Sequence, residues 1–265
     1  MTKDIVLKKI PLVELFGPTV QGEGAVIGAP TYFLRFGLCD YDCKLCDSRH
    51  AVEPEQVRAN AEWITQTVIH NQLVTYRSIN HPTSCRTVTF SGGNPCIHDL
   101  SVLVHTLKDS GWKIHVETQG TFHPDWLFEC DSVTCSPKAP GIGEKFDPKA
   151  FEEFMAAFDG SMNYEGLSLK IVVFDLPDLE FAGNLAFWCA NHNFPLEQFY
   201  LSQGNPYPPG IATYRQDDGS PNTIRNLLVT QYLALFDQIQ KSPLLSSVKF
   251  LPQLHVWLHG NKQGV

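Results

Sequence analysis

No run of eighteen apolar residues occurs anywhere in the 265 positions of the sequence, so no membrane-spanning helix is expected. The first residues, MTKDIVLKKIPLVELFG, hold neither a long apolar stretch nor a small-residue cleavage site. A secretory signal is therefore not expected, and a cytoplasmic protein is. An excess of cations is missing as well: 20 Lys and Arg stand against 28 Asp and Glu, a formal net charge of -8. Neutralising phosphates requires clustered Lys and Arg, so direct nucleic-acid binding is not expected. There is no internal repeat, low-complexity segment or block of like charge. The chain reads as a single domain over 1–265 with room for a sizeable core.

Cysteine is not scarce: there are eight. In a reducing compartment these point to metal ligation or buried thiols before disulfides. Cys85, Cys96, Cys130, Cys135 and Cys189 are scattered singly among apolar neighbours and read as small core residues. The other three, Cys39, Cys43 and Cys46, share one stretch, GLCDYDCKLCDSRH (37–50). His50 lies four residues beyond Cys46 and completes a possible Cys3His zinc site. Three thiolates also suit a 4Fe-4S cluster with one iron left open. The spacing leaves both readings standing.

Runs rich in β-branched and aromatic residues recur at 31–36, 87–90, 113–118, 132–135, 167–174, 198–202 and 248–251. Most precede a helical stripe: Val57, Ala61, Ile64 and Val68; then Leu100, Leu103, Val104 and Leu107; then Ile224, Leu228, Tyr232, Leu235 and Ile239. Helices also fit 148–158 and 178–192, while 49–86 reads as an insertion of one helix plus a mobile loop around HPTSCR. Strands alternating with helices mean parallel βα units covered on their faces. About six units fit, too few for a closed eight-unit barrel. The expected fold class is α/β, a partial (open) βα barrel, with a doubly wound sheet as the second choice. Chemistry then belongs on the loops at the C-terminal strand ends. There the sequence places the cysteine loop, SGGNP (91–95), TQG (118–120), SPK (136–138) and SQG (202–204). Two adjacent glycines in SGGNP let backbone approach a ligand, something a zinc knot has no use for.

The cysteine loop and the Gly-Gly-x-Pro loop together resemble the radical S-adenosylmethionine superfamily. FGPTVQGEG (16–24), SGGNP, ETQG (117–120), SPK, LKIVVF (169–174) and LPQLHVWLHGNKQGV (251–265) narrow the resemblance to the 7-carboxy-7-deazaguanine synthases of the queuosine tRNA-modification pathway. The likeness runs from end to end. It implies a carbon-nitrogen lyase that contracts the ring of 6-carboxy-5,6,7,8-tetrahydropterin to 7-carboxy-7-deazaguanine with loss of ammonia. In that family S-adenosylmethionine is cleaved to a 5'-deoxyadenosyl radical, which takes the C6 hydrogen of the substrate and is afterwards regenerated.

By the same resemblance Cys39, Cys43 and Cys46 would ligate the cluster. Gly92 and Gly93 would meet the methionine moiety of S-adenosylmethionine, and Ser136, Pro137 and Lys138 its nucleotide end, with Glu117, Thr118 and Gln203 at further strand ends. Val20, Gln21, Gly22 and Glu23 would grip the pterin edge. Ser91 would contact substrate, and Arg35 would pair with a carboxylate, a task suited to its planar fork. Ser48 would help to hold Mg2+. A flavodoxin-like or ferredoxin-like electron donor and a homodimer are implied as partners. Two departures stand out: Leu45 precedes the third cysteine where an aromatic is usual, and Asn94 replaces the acid of Gly-Gly-Glu-Pro. His98, His115 and His255 read as structural. The rival readings are another small radical enzyme such as a glycyl-radical activase, which has no reason to carry QGEG or the C-terminal tail, and a non-catalytic zinc-stabilised α/β binding protein.

Overall fold

The structure, a computed structural model, describes residues 8–80, 84–162, 164–207, 220–262 and 264. A single sheet of nine strands organises them. In chain order the strands are β1 (Ile10–Val20), β2 (Pro30–Phe36), β3 (Glu62–Ile64), β4 (Thr87–Gly92), β5 (Lys113–Thr118), β6 (Ser132–Cys135), β7 (Leu167–Val173), β8 (Phe199–Gln203) and β9 (Lys249–Leu251). The spatial order is β3-β1-β2-β4-β5-β6-β7-β8-β9. From β2 onward every neighbouring pair is parallel, whereas β1 runs antiparallel to both β2 and β3. Seven parallel strands joined by six crossovers, with the end strands β3 and β9 unpaired to each other, make the open βα barrel expected from the sequence.

The parallel strands form because they are apolar on both faces: Tyr32, Leu34, Phe36, Val88, Phe90, Leu169, Ile171 and Leu201 are buried. One core runs from Ile10 of β1 to Phe250 of β9. The crossover helices are α1 (Pro54–Asn60) and α2 (Gln66–Asn80), α3 (Ser101–Asp109), α4 (Pro148–Met162), α5 (Leu176–Asn191) and α6 (Pro221–Gln240). Between β5 and β6 the crossover is only a 3-10 turn, Asp125–Glu129. A last helix, α7 (Leu254–His259), sits against α6 through Ile224, Leu228, Val256 and Trp257, which fixes the tail on the sheet. No helix among the described residues is long and apolar enough to cross a membrane.

Two features differ from the sequence expectation. The region 49–86 holds not one helix but two, separated by β3. Ala61 closes α1 with its N–H on the Val57 carbonyl and then turns extended, because Glu62–Ile64 pairs with Ile10–Leu12. The helical stripe accordingly restarts out of phase: Val68 is exposed, and α2 buries Ile69 and Leu73. Part of the loop expected around HPTSCR, residues 81–83, lies outside the described residues. The second difference is β1, which carries Pro11 and Pro18, residues that ordinarily demote a strand. Irregular register between Leu12 and Glu14 and between Phe16 and Thr19 absorbs the interruptions.

Candidate active site

The C-terminal ends of β2, β4, β5 and β6 surround a cavity of about 260 Å3, closed from the other side by the QGEG loop and the C-terminal tail. Sixteen of the eighteen site residues expected from the sequence line it: Val20, Gln21, Gly22, Glu23, Arg35, Cys39, Cys43, Cys46, Ser48, Ser91, Gly92, Gly93, Glu117, Thr118, Ser136 and Lys138. Pro137 does not. Neither does Gln203, whose Nε2 donates to the Leu228 carbonyl at 2.6 Å and to Gln231 Oε1 at 3.1 Å on α6. Side chains alternate across a strand, and at this position the alternation sends Gln203 to the helix side.

At one end stand the three thiols. All are free, and burial pushes each of them up: Cys39 above its ordinary value, Cys43 to about 11 and Cys46 to about 12, with the Lys138 ammonium pulling the other way. As thiolates they need a metal to supply positive charge. Among the described residues no three His, Cys, Asp or Glu side chains are grouped to hold one metal ion. His50 is turned away from the thiols, its Nε2 at 3.2 Å from Glu14 Oε2. A closed zinc site brings four donors to about 2.0–2.3 Å of a single point. Three soft donors spread around a cavity suit a larger iron–sulfur group instead.

The Gly-Gly loop is held against the cysteine loop. Gly93 donates its N–H to the Phe36 carbonyl and Asn94 to the Leu38 carbonyl, each at 2.9 Å. A Cβ on Gly93 would run into Leu38's carbonyl, and one on Gly92, at φ +123°, into the Phe36 backbone. The glycines thus permit close contact between two loops as well as access to a ligand. Leu45 lines the cavity as an apolar wall residue. Ser91 Oγ is buried and has no hydrogen-bond partner among the described residues, as expected of a hydroxyl kept for a ligand.

The opposite wall is polar and already paired. Lys170, the one charge inside β7, forms a buried ion pair with Glu23, and Glu117 Oε1 lies 3.9 Å from its Nζ. Gln253 donates Nε2 to Glu23, Gln21 donates Nε2 to Glu117 Oε1 at 3.2 Å, and the tail is stitched on by Leu254 N–H to the Gly22 carbonyl at 2.9 Å. Burial alone would raise the Glu23 carboxyl; Lys170 and His255 outweigh it and hold it well below the usual carboxylate range. Burial likewise opposes the Lys170 charge, yet Glu23 and Glu117 lift its pKa. Gln253 Oε1 is buried without a partner among the described residues. Lys170, Gln253 and His255 were not among the expected site residues, although a lone lysine in the apolar run LSLKIVVF already asks for a buried partner.

Between the two ends Arg35 is clamped. Its Nε meets Glu14 Oε2 at 2.6 Å, its Nη1 donates to Ser48 Oγ at 2.7 Å, and its guanidinium lies 5.6 Å from the Phe16 ring centroid. Ser48 Oγ donates to Asp47 Oδ1 at 2.9 Å, which leaves one lone pair on that oxygen. A Mg2+ ion would fit there with water and ligand oxygens completing its shell, since this ion needs few protein oxygens.

An open βα barrel carrying three cysteines on the loop after its first parallel strand is the architecture of the radical S-adenosylmethionine enzymes, and this protein is one of them. Two solved structures share the fold: QueE from Escherichia coli, at TM-score 0.57 and 21% identity over 93% of this chain and 95% of that one, and Streptococcus suis SuiB, at 0.53 and 12% over 83% and 50%. No family model matches. The 7-carboxy-7-deazaguanine synthase of Bacillus subtilis (strain 168) is 35% identical over 261 residues, covering 97% of this chain and 99% of the relative. The synthase of Bacillus cereus is 35% identical over 263 residues, 98% and 100%. The chain belongs to the 7-carboxy-7-deazaguanine synthase family, lyases of 7-deazapurine biosynthesis.

Proposed function

We infer that the protein converts 6-carboxy-5,6,7,8-tetrahydropterin to 7-carboxy-7-deazaguanine and ammonia, using a 4Fe-4S cluster, S-adenosylmethionine and Mg2+. The observation that carries this is the meeting, in one cavity, of three unpaired thiols and a buried polar wall from four separate elements. When bound, the cluster and S-adenosylmethionine supply the one-electron chemistry that opens a hydrogen abstraction. The chain's own residues do the rest. Cys39, Cys43 and Cys46 hold the cluster. Gly92, Gly93, Glu117, Thr118, Ser136 and Lys138 bound the space beside it where S-adenosylmethionine fits. Arg35 and Ser48, with Mg2+, orient the substrate carboxylate. Glu23 accepts N–H donors of the pterin edge as a permanent carboxylate, and Val20, Gln21, Gly22 and Ser91 close over the ring. Packed loops exclude water, which protects a carbon radical from quenching.

Residues 1–265 form a single domain in this reading. It also includes a cytoplasmic location, in keeping with eight free or ligating cysteines, an external flavodoxin-like or ferredoxin-like donor, and a homodimer. Anaerobic reconstitution followed by turnover with the tetrahydropterin, S-adenosylmethionine, Mg2+ and reductant tests it. A brown protein absorbing near roughly 400 nm, as iron thiolates do, and forming the deazapurine supports the reading; a colourless protein retaining one zinc and forming no product contradicts it.

A further inference from the structure

Beside the cysteine loop lies a polar contact that the reading above leaves unused. Gln119, buried just past β5, donates Nε2 to two acceptors: Asp40 Oδ1 at 2.5 Å and Cys39 Sγ at 3.5 Å. Asp40 Oδ1 takes a second N–H from Asn94 Nδ2 at 2.8 Å. Asn94 is itself fully buried and fixed on several sides. Its Oδ1 accepts from Thr118 Oγ1 at 3.0 Å and from the Cys96 N–H at 3.1 Å, and its Nδ2 also reaches Thr121 Oγ1 at 3.2 Å. Two amides and one carboxylate therefore tie the ends of β2, β4 and β5 together at Cys39.

The chemistry of the acceptors sets the orientation. An ionised Asp40 only accepts, so both amides must turn their NH2 groups toward it, and Gln119 then has an N–H to share with the sulfur. A thiolate that accepts a hydrogen bond pushes less charge onto iron, which favours the more negative, reduced cluster; a carboxylate beside the sulfur acts in the opposite direction. The same contact accounts for Asn94 in place of the acid of Gly-Gly-Glu-Pro. A carboxylate at that position would face Asp40 with no donor between them, and like charges repel.

We propose that Gln119, braced by Asn94 and Asp40, is a positioning residue that orients the Cys39 thiolate and raises the reduction potential of the cluster. This rests on the cluster-bearing reading above. The step concerned is a single electron passing from the external low-potential donor to the cluster; no bond is made or broken in the protein, and Gln119 neither gains nor loses a proton.

The test is a redox titration of the reconstituted full-length protein followed by electron paramagnetic resonance. Gln119→Leu removes the N–H while keeping the bulk, and shifts the reduction equilibrium about tenfold toward the oxidised cluster, about 59 mV downward for a one-electron couple. Asp40→Asn removes the neighbouring charge and shifts the midpoint upward. Opposite signs are the signature, because a merely structural brace would change cluster occupancy or melting temperature without splitting the midpoints. Midpoints that stay unmoved at full occupancy, or move the same way in both variants, overturn the proposal. Should Gln119→Leu fail to retain a cluster, Gln119→Met, which also lacks the N–H, takes its place, with a downward shift in support and an unmoved or upward midpoint against. A wild-type protein that takes up no cluster overturns the underlying reading as well, whereas a wild-type cluster with insensitive midpoints overturns only this inference.

Discussion

At the cysteine end of the cavity Cys43 is buried and Cys39 and Cys46 are half-buried, in a setting that raises the pKa of all three thiols, Lys138 notwithstanding. At the other end Glu23 and Lys170 are at least as buried, yet both are charged, because each is the other's partner. In the proposed function the first end is completed by a metal cluster. The second already has its charges paired and meets its ligand without rearranging them. Burial is common to both, so burial alone does not decide ionisation; the presence of a counter-charge does.

The contrast can be broken from either side. The largest effect belongs to Cys43→Ala, which removes one of the three proposed cluster ligands: cluster iron, the absorbance near roughly 400 nm and deazapurine formation should all be lost, read by iron analysis and anaerobic turnover. Next comes Lys170→Met, which strands Glu23 in the wall. Removing one partner of a buried pair costs about 3–5 kcal/mol, measurable by denaturant unfolding.

The same variant should change the pH dependence of stability. The depressed Glu23 pKa contributes stability that is fully present above the ordinary carboxylate value and is lost as pH falls through the lower folded value. The raised Lys170 pKa contributes stability present below the ordinary lysine value and lost as pH climbs through the higher folded one. Unfolding free energy in the wild type therefore falls off at both extremes, and Lys170→Met removes this pair's share at each.

A smaller effect is expected from Arg35→Lys. The point charge remains, but the fork that spans Glu14 and Ser48 is gone. KM for the tetrahydropterin should rise about tenfold, or ~1.4 kcal/mol, with less change in kcat. His50→Ala should do least. Its contact with Glu14 is partly exposed and of a kind contributing about 0–1 kcal/mol, and the cluster should be retained in full; iron analysis checks this, and loss of the metal would revive the Cys3His site.

The parallel strands were legible because they are short apolar runs, most of them followed by a helical stripe, and the strand-end rule then located most of the cavity. β1 was not, because Pro11, Glu14 and Pro18 break the alternation that marks a strand and only the register irregularities reveal how they are housed. Pairings across long separations were equally hidden. Glu23 meets Lys170 across 147 positions and Gln253 across 230, and no local periodicity connects them. Gln203 misled for a simpler reason: ending a strand places a residue near the rim, and only the pleat decides which face it serves.

The most direct test of the two-ended account is the affinity of the cluster-free protein, compared with the reconstituted protein, for the tetrahydropterin and for S-adenosylmethionine by anaerobic calorimetry. The account predicts that removing the cluster abolishes binding of S-adenosylmethionine but leaves pterin affinity within about tenfold, or ~1.4 kcal/mol. Loss of both together would mean that the polar wall is not complete on its own, and would contradict it.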